Sequence, residues 1–290
     1  MSARPRALTP AELEHFPLPP VEEADKNAHG RLLLVAGSRE TPGSAAIAAT
    51  AALRSGCGKV TIATVEGVAP HVALAVPEAR VLHLPQARDG GFARAAVREI
   101  TNVAPDYDAV VAGPGMQENR VCSRMAATLL GLGLARLVLD AAMLHALSPH
   151  DDKARDAAMP ILLPNDAEME SLVGAEPGGN GAKALQCGLA CAARYDALTL
   201  VKGPKSHVVT PDGRAWRYSG GGPGLGISGS GDSLAGILGG LLARGAEPLT
   251  ALLWAVWLHG EAGAALSSRV GKVGFLAREI PGEVPALLAS

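Results

Sequence analysis

Short apolar runs that do not alternate with polar residues recur along the chain, and helical patterns separate them. They are RLLLVAG (31–37), KVTIAT (59–64), ARVLHL (79–84), DAVVAG (108–113), RLVLD (136–140), PILLP (160–164) and ALTLVKG (197–203). A strand packed on one face reads apolar and polar in turn, whereas a continuous apolar run suits a strand covered on both faces. Between the runs stand patterns such as the alanine-rich stretch 43–58, NRVCSRMAATLLGLG and GNGAKALQCGLACAARYD. This repeat predicts an α/β fold with a mostly parallel central sheet and helices on both faces. SHVVTPDGRAWRYSG (206–220) breaks the pattern, and its Asp212-Gly213 between strand-like flanks predicts a hairpin at the sheet edge. No linker, repeat or low-complexity tract divides the chain, so residues 1–290 are expected to form a single domain, with residues 1–20 as an N-terminal arm.

The 35 glycines and an aromatic content of 3% imply a core of Ala, Val and Leu, with tight helix packing and loops that approach a ligand closely. A net charge of -2 leaves no electrostatic footprint for nucleic acid or a lipid surface. The four cysteines form no C-x-x-C pair. Cys187 and Cys191 share a helix face and read as small buried hydrophobes in a reducing compartment, in preference to a metal pair. LTALLWAVWLHGEAGAAL (249–266) is the most apolar long run, and His259, Glu261 and its glycines mark a buried core helix, not a membrane span. The first twenty residues lack the apolar stretch of a secretory signal, so the protein is expected in the cytoplasm, with neither membrane nor nucleic acid as partner.

In open parallel sheets ligands bind beyond the carboxyl ends of the strands. Glycine-rich or polar groups stand at those places: GSRETPGS (37–44), GPGM (113–116), Asp140, NDAE (165–168) and KGPKS (202–206). GISGSGDSLAG (226–236) opens a further apolar helix. Free backbone N–H groups and the helix dipole make such a start attractive to anions, and glycines let phosphate approach. Asp232 at that end reads either as a general base for a hydroxyl lying against the anion hole or as a helix cap. There is no G-x-x-x-x-G-K-[ST] loop, and GSRETPGS lacks the dinucleotide-binding spacing.

The G-S-G-D start of that helix, after GPG and KG loops, resembles the ribokinase-like superfamily. A narrower likeness covers roughly residues 25–285. HGRLLLVAGSRETPGSAAIAATAALRSGCGKVTIAT, VVAGPGM, VLDAAML, LLPNDAEMESLVG, LVKGPKSHVVTPDG, SGSGDSLAGILGGLLARG and AVWLHGEAGAAL are similar, in that order, to the ADP/ATP-dependent NAD(P)H-hydrate dehydratases. The resemblance implies a ribokinase-like three-layer sandwich. It also implies a repair lyase that uses ADP or ATP, with Mg²⁺, to remove the ring hydroxyl of hydrated NADH or NADPH by way of its phosphate ester. Asp232 would be the base, with Gly229, Ser230 and Gly231 forming the anion hole. The hydrate would lie against Ser44, Gly115, Asn165 and Asp232. The nucleotide would lie against Lys202, Gly203, Pro204, Lys205, Ser206 and Gly231. A separate epimerase partner and a homo-oligomer, a tetramer in this family, are further implications. From the residues alone, Gly115 also suits a plain turn and Lys202 a solvated strand end.

Three positions depart from the family pattern. Asn165 replaces the histidine of T-P-H-P-G-E while Glu168 keeps its place, Gly222 replaces an asparagine, and Ser44 stands where alanine is common. Asn-x-x-Glu is how small-molecule kinases of the superfamily organise Mg²⁺ and phosphates, which makes Glu168 a candidate for Mg²⁺ through water. It also supports an alternative reading, an ATP-dependent kinase of a small alcohol of the thiamine- or pyridoxine-precursor type. A third reading is a nucleotide-binding regulator without catalysis, against which the intact Asp232 and anion hole argue.

Overall fold

The computed structural model describes residues 4–20, 29–145, 147–149, 159–177 and 181–289. The apolar runs form β2 (Arg31–Val35), β3 (Lys59–Val65), β4 (Arg80–Leu84), β5 (Ala109–Ala112), β6 (Leu137–Leu139), β7 (Ile161–Leu162) and β8 (Leu198–Val201). All seven run parallel. Every residue of β5, β6, β7 and β8 is buried, as strands covered on both faces must be. The hairpin expected at 206–220 is β9 (Ser206–Val209) and β10 (Ala215–Tyr218), antiparallel to each other and joined to β8. It lies one strand in from the edge. The edge itself is β1 (Arg6–Ala7), which pairs parallel with β10, Arg6 opposite Trp216.

The arm at the N-terminus is therefore docked over residues 4–20. After β1 comes the short α1 (Pro10–Leu13), capped by the Thr9 hydroxyl. Glu12 accepts from Trp216 Nε1 at 2.8 Å, Phe16 meets the Trp216 ring edge-on, and the Phe16 carbonyl accepts from Trp254 Nε1 at 2.7 Å.

The strand order across the sheet is β1-β10-β9-β8-β7-β6-β5-β2-β3-β4. From β2 the chain runs outward to β4 and returns on the other side of β2 as β5. The boundary between β2 and β5 is thus the topological switch point, where open α/β sheets leave a crevice for ligand.

Two helices lead into that crevice side by side. These are α2 (Pro42–Arg54) and α8 (Ser230–Ala243), the most extensively packed helix pair. Their approach is set by small residues. A methyl group added at Gly236 would lie 2.1 Å from the Ala48 carbonyl, and one at Gly240 would lie 2.6 Å from that of Ala52. Those contacts step four residues along each helix in the same direction, so the helices run parallel and in register. One step further towards their starts, the same ladder puts Ser44 beside Asp232. The long helix α9 (Pro248–Arg269) is apolar and long enough to cross a membrane, yet it packs on α8 and on α10 (Ile280–Leu288), with Leu252, Leu253, Leu258 and Leu266 buried. It is the core helix its His259 and Glu261 suggest.

Candidate functional site

The loops that leave β2 and β5 are stitched together. Gly37 N–H donates to the Pro114 carbonyl at 2.8 Å, and the Thr41 hydroxyl donates to the Gly115 carbonyl at 2.7 Å. Gly115 sits at φ +61, and a methyl there would lie 2.4 Å from Ser44 Cβ. Position 115 therefore needs glycine for both its turn and its space. Ser44, three residues into α2, stands beside the Asp232 carboxylate, and its hydroxyl favours the ionised form.

Asp232 does not cap α8. The N-cap is Gly229, at φ +88, and no side chain bonds the cap position. The cap reading is thus removed, and the Asp232 carboxylate faces Ser44 and the crevice. Burial is the largest influence on it and raises its pKa; Asp140 adds to the rise, while Ser44 and Lys202 oppose it. A carboxylate of raised proton affinity is a stronger base, provided the ambient pH still ionises it.

From the other side come Asp140 and Lys202, just past the ends of β6 and β8, and Glu168, in the first turn of the helix that follows β7. Lys202 Nζ donates to Asp140 Oδ1 at 2.7 Å and stands 3.9 Å from Glu168 Oε2. Burial disfavours the ammonium, but the two carboxylates outweigh it and raise the Lys202 pKa. A Cβ at Gly231 would lie 3.7 Å from Nζ, so this ammonium borders the start of α8. It is not a solvated strand end.

Asn165 and Glu168 form a reciprocal capping box on α6 (Asp166–Val173). Glu168 N–H donates to Asn165 Oδ1 at 2.9 Å, and Asn165 N–H donates to Glu168 Oε2 at 2.8 Å. Asn165 Nδ2 also donates to Glu168 Oε1 at 2.8 Å. Burial raises the Glu168 pKa. The spacing that matched a kinase metal pattern is here a helix start, which is what N-x-x-E also encodes. Among the described residues no group of three or more His, Cys, Asp or Glu is placed to hold a metal. Asp140 is committed to Lys202, and both Glu168 oxygens already accept from Asn165. The donor set does not form a protein cage; it fits an Mg²⁺ that arrives with most of its ligands from nucleotide phosphates and water.

One contact was not anticipated. His259, from α9, places Nε2 3.0 Å from both the hydroxyl and the carbonyl oxygen of Ser230. A carbonyl only accepts, so Nε2 carries the proton. Burial pushes the ring's pKa down to about 4 and keeps it neutral. Of the remaining sequence candidates, Gly203, Pro204 and Lys205 lie exposed beyond Lys202, and the Ser206 hydroxyl closes their turn onto the Gly203 carbonyl at 3.3 Å. Gly222 holds φ +86 ahead of the Pro223–Leu225 turn. The four cysteines are buried and unbridged, and Cys187 Sγ points to the Ala175 carbonyl, as small core residues would.

Residues 32–285 match the protein family described as NAD(P)H-hydrate dehydratase. The chain is 43% identical over 285 residues to the ADP-dependent (S)-NAD(P)H-hydrate dehydratase of Xanthomonas campestris pv. campestris, covering 98% of this chain and 96% of that one. It is 37% identical to a bifunctional NAD(P)H-hydrate repair enzyme of Gloeobacter violaceus over 88% of its own length, and spans 48% of that longer protein. In three dimensions it is similar to the ADP/ATP-dependent NAD(P)H-hydrate dehydratase of Bacillus subtilis co-crystallised with ATP/Mg²⁺, at TM-score 0.85 and 25% identity, covering 98% of each chain. That likeness bears out the ribokinase-like α/β fold. The match of residues 32–285 and the 43% identity over nearly the full length of both chains show that the chain belongs to the NAD(P)H-hydrate dehydratase family.

Proposed function

We propose that the protein dehydrates hydrated NADH and NADPH at the expense of ADP or ATP. The observation that carries this reading is the Asp232 carboxylate, beside Ser44 at the start of α8 and facing the crevice between β2 and β5. Hydroxide leaves a carbon poorly, whereas phosphate leaves readily. Asp232 takes the proton of the ring hydroxyl as its oxygen attacks the terminal phosphorus of the nucleotide. The phosphoryl group moves to that oxygen, and the shortened nucleotide departs as AMP or ADP. The backbone N–H groups of Gly229 and Gly231 receive the charge on the transferring group, whereas that of Ser230, expected from the sequence to join them, donates instead to the Ile227 carbonyl at 3.3 Å. The lone pair of the ring nitrogen then expels phosphate, and loss of a neighbouring ring proton restores the reduced nicotinamide. Ser44 stands beside Asp232, and Gly115 lets the loop after β5 pack directly against Ser44, which brings both to the place of the ring. Mg²⁺, when bound, would supply charge neutralisation on the nucleotide, and Glu168 is the carboxylate that would meet it through water.

Family membership favours this over phosphorylation of a small alcohol, and the capping box withdraws the motif that had supported a kinase. The Gly203–Ser206 turn is the nucleotide side of the site in this reading. The bifunctional relatives, about twice as long, support a separate epimerase as partner. The unbridged buried thiols support a cytoplasmic location, and exposed Val270, Val273 and Leu276 support a homo-oligomer, for which the family resemblance implies a tetramer. The deciding test is incubation with NADH hydrate and ADP or ATP. Recovery of absorbance at the reduced-nicotinamide band is the expected result. Accumulation of a stable phosphate ester with no recovery would favour the kinase instead.

A further inference from the structure

Asp140 is 2% exposed, yet it is an acid. The residue after it, Ala141, holds φ +48, a left-handed conformation that strains a residue with a Cβ. No glycine relieves that turn. Backbone on the other side closes over it as well, since a methyl at Gly113 would lie 1.8 Å from the Asp140 carbonyl oxygen. Strain kept at a closed position, next to a buried charge, calls for a use of that charge.

The use is on Lys202. An ammonium has three N–H groups. One goes to Asp140 Oδ1, and Glu168 at 3.9 Å is beyond hydrogen-bond reach. Two N–H groups of Lys202 therefore have no acceptor among the described residues, and they lie beside Gly231 at the mouth of the anion hole. Three carboxylates, those of Asp140, Glu168 and Asp232, surround this single cation. Left to Coulomb attraction alone it could lean to any of them. The short bond to a rigidly aimed Asp140 fixes where it stands.

We propose that Asp140, aimed by the left-handed turn at Ala141, is a positioning residue that holds the Lys202 ammonium against the terminal phosphate of the bound nucleotide. This rests on the nucleotide-dependent reading above. AMP lacks that phosphate and ADP has it, so the ratio of their affinities reads the contact without any turnover.

The test is calorimetric binding of ADP and AMP to the wild type, to Asp140→Glu, to Lys202→Gln and to the double variant. Asp140→Glu keeps the charge and moves it by one methylene. Each single change is expected to cut the ADP-over-AMP preference about tenfold, roughly the worth of one charged hydrogen bond. The double variant should lose no more than either single one, because Asp140 acts only through Lys202. An unchanged ratio in Asp140→Glu, or losses that multiply in the double variant, overturns the proposal. Turnover of NADH hydrate by the same samples separates the two readings. Asp140→Glu should also lose kcat, by up to about 100-fold for a misplaced group, with KM for the hydrate held. A wild type that binds ADP with this pattern but does not restore NADH would leave the Asp140 contact standing and refute the dehydratase function.

Discussion

Gly231 and Gly236 are five residues apart on α8 and indistinguishable in type, but the structure gives them opposite reasons to be glycine. At Gly236 a methyl would enter the Ala48 carbonyl at 2.1 Å, backbone against backbone. At Gly231 the nearest atom is Lys202 Nζ at 3.7 Å, an ordinary van der Waals distance, and no positive φ is required. The folded chain thus has no need of glycine at 231; the need comes from the phosphate that must approach its N–H. Ala exceeds Gly by up to about 1 kcal/mol within a helix, and by less in its first turn. Gly231→Ala is therefore expected to leave the melting temperature unchanged or raise it by about 1–3 °C, at about 2–4 °C per kcal/mol for a chain of this size. The same change should cut kcat by about 100-fold or more, the usual cost of losing one anion-hole donor. Gly236→Ala should do the reverse. It must push α2 from α8 and lower the melting temperature by several degrees. Whatever folded enzyme remains should retain most of its kcat. Thermal melts alongside steady-state kinetics on NADH hydrate with ADP or ATP measure both. A Gly231→Ala protein with wild-type kcat would mean that phosphate does not rest on this helix start.

Asp232→Asn should abolish turnover while ADP still binds. Because burial raises the Asp232 pKa, the folded state prefers its protonated form. The unfavourable contribution of the ionised form is absent at a pH below the unfolded value and grows as pH rises through the folded one. Asp232→Asn should therefore be more stable than wild type at neutral pH, with the difference vanishing in acid; denaturation curves at several pH values would expose the opposite trend. The same shift places the acidic limb of kcat above the ordinary carboxylate range, and a limb at or below that range would contradict Asp232 as the base. Asn165→Ala loses the α6 cap and should cost about 1 kcal/mol of stability. Asn165→His, the family's usual residue, should cost a similar amount while kcat stays within about tenfold. A sharply increased Mg²⁺ requirement in Asn165→His would return that residue to metal organisation.

The strands, the anion-hole helix and Asp232 were legible because each is a local statement: a continuous apolar run, a cluster of glycines, an acid at a helix start. The pair Asn165 and Glu168 was legible too, but under two meanings, and only the coordinates of both oxygens chose the cap. Contacts between distant segments left no local trace. Nothing near Asp140 in the sequence names Lys202, and nothing in the apolar context of His259 names Ser230. The two-residue β1 has no periodicity to read, so the arm's docking on β10 could not be foreseen. Gly231 and Gly236 differ only in what stands opposite them, which a linear sequence does not contain.

The docking of β1 bears on how the protein is made. Arg6 leaves the ribosome long before Trp216, its partner in the sheet. The strand that covers β10 is thus synthesised well ahead of its partner, and it has nothing in the sheet to pair with until β10 follows. During that wait its pairing groups are open to other chains. When β10 at last appears, the two ends close the sheet in one non-local event, of the kind that slows folding. A chain stalled before residue 215 would therefore carry β1 without the strand it pairs with in the sheet.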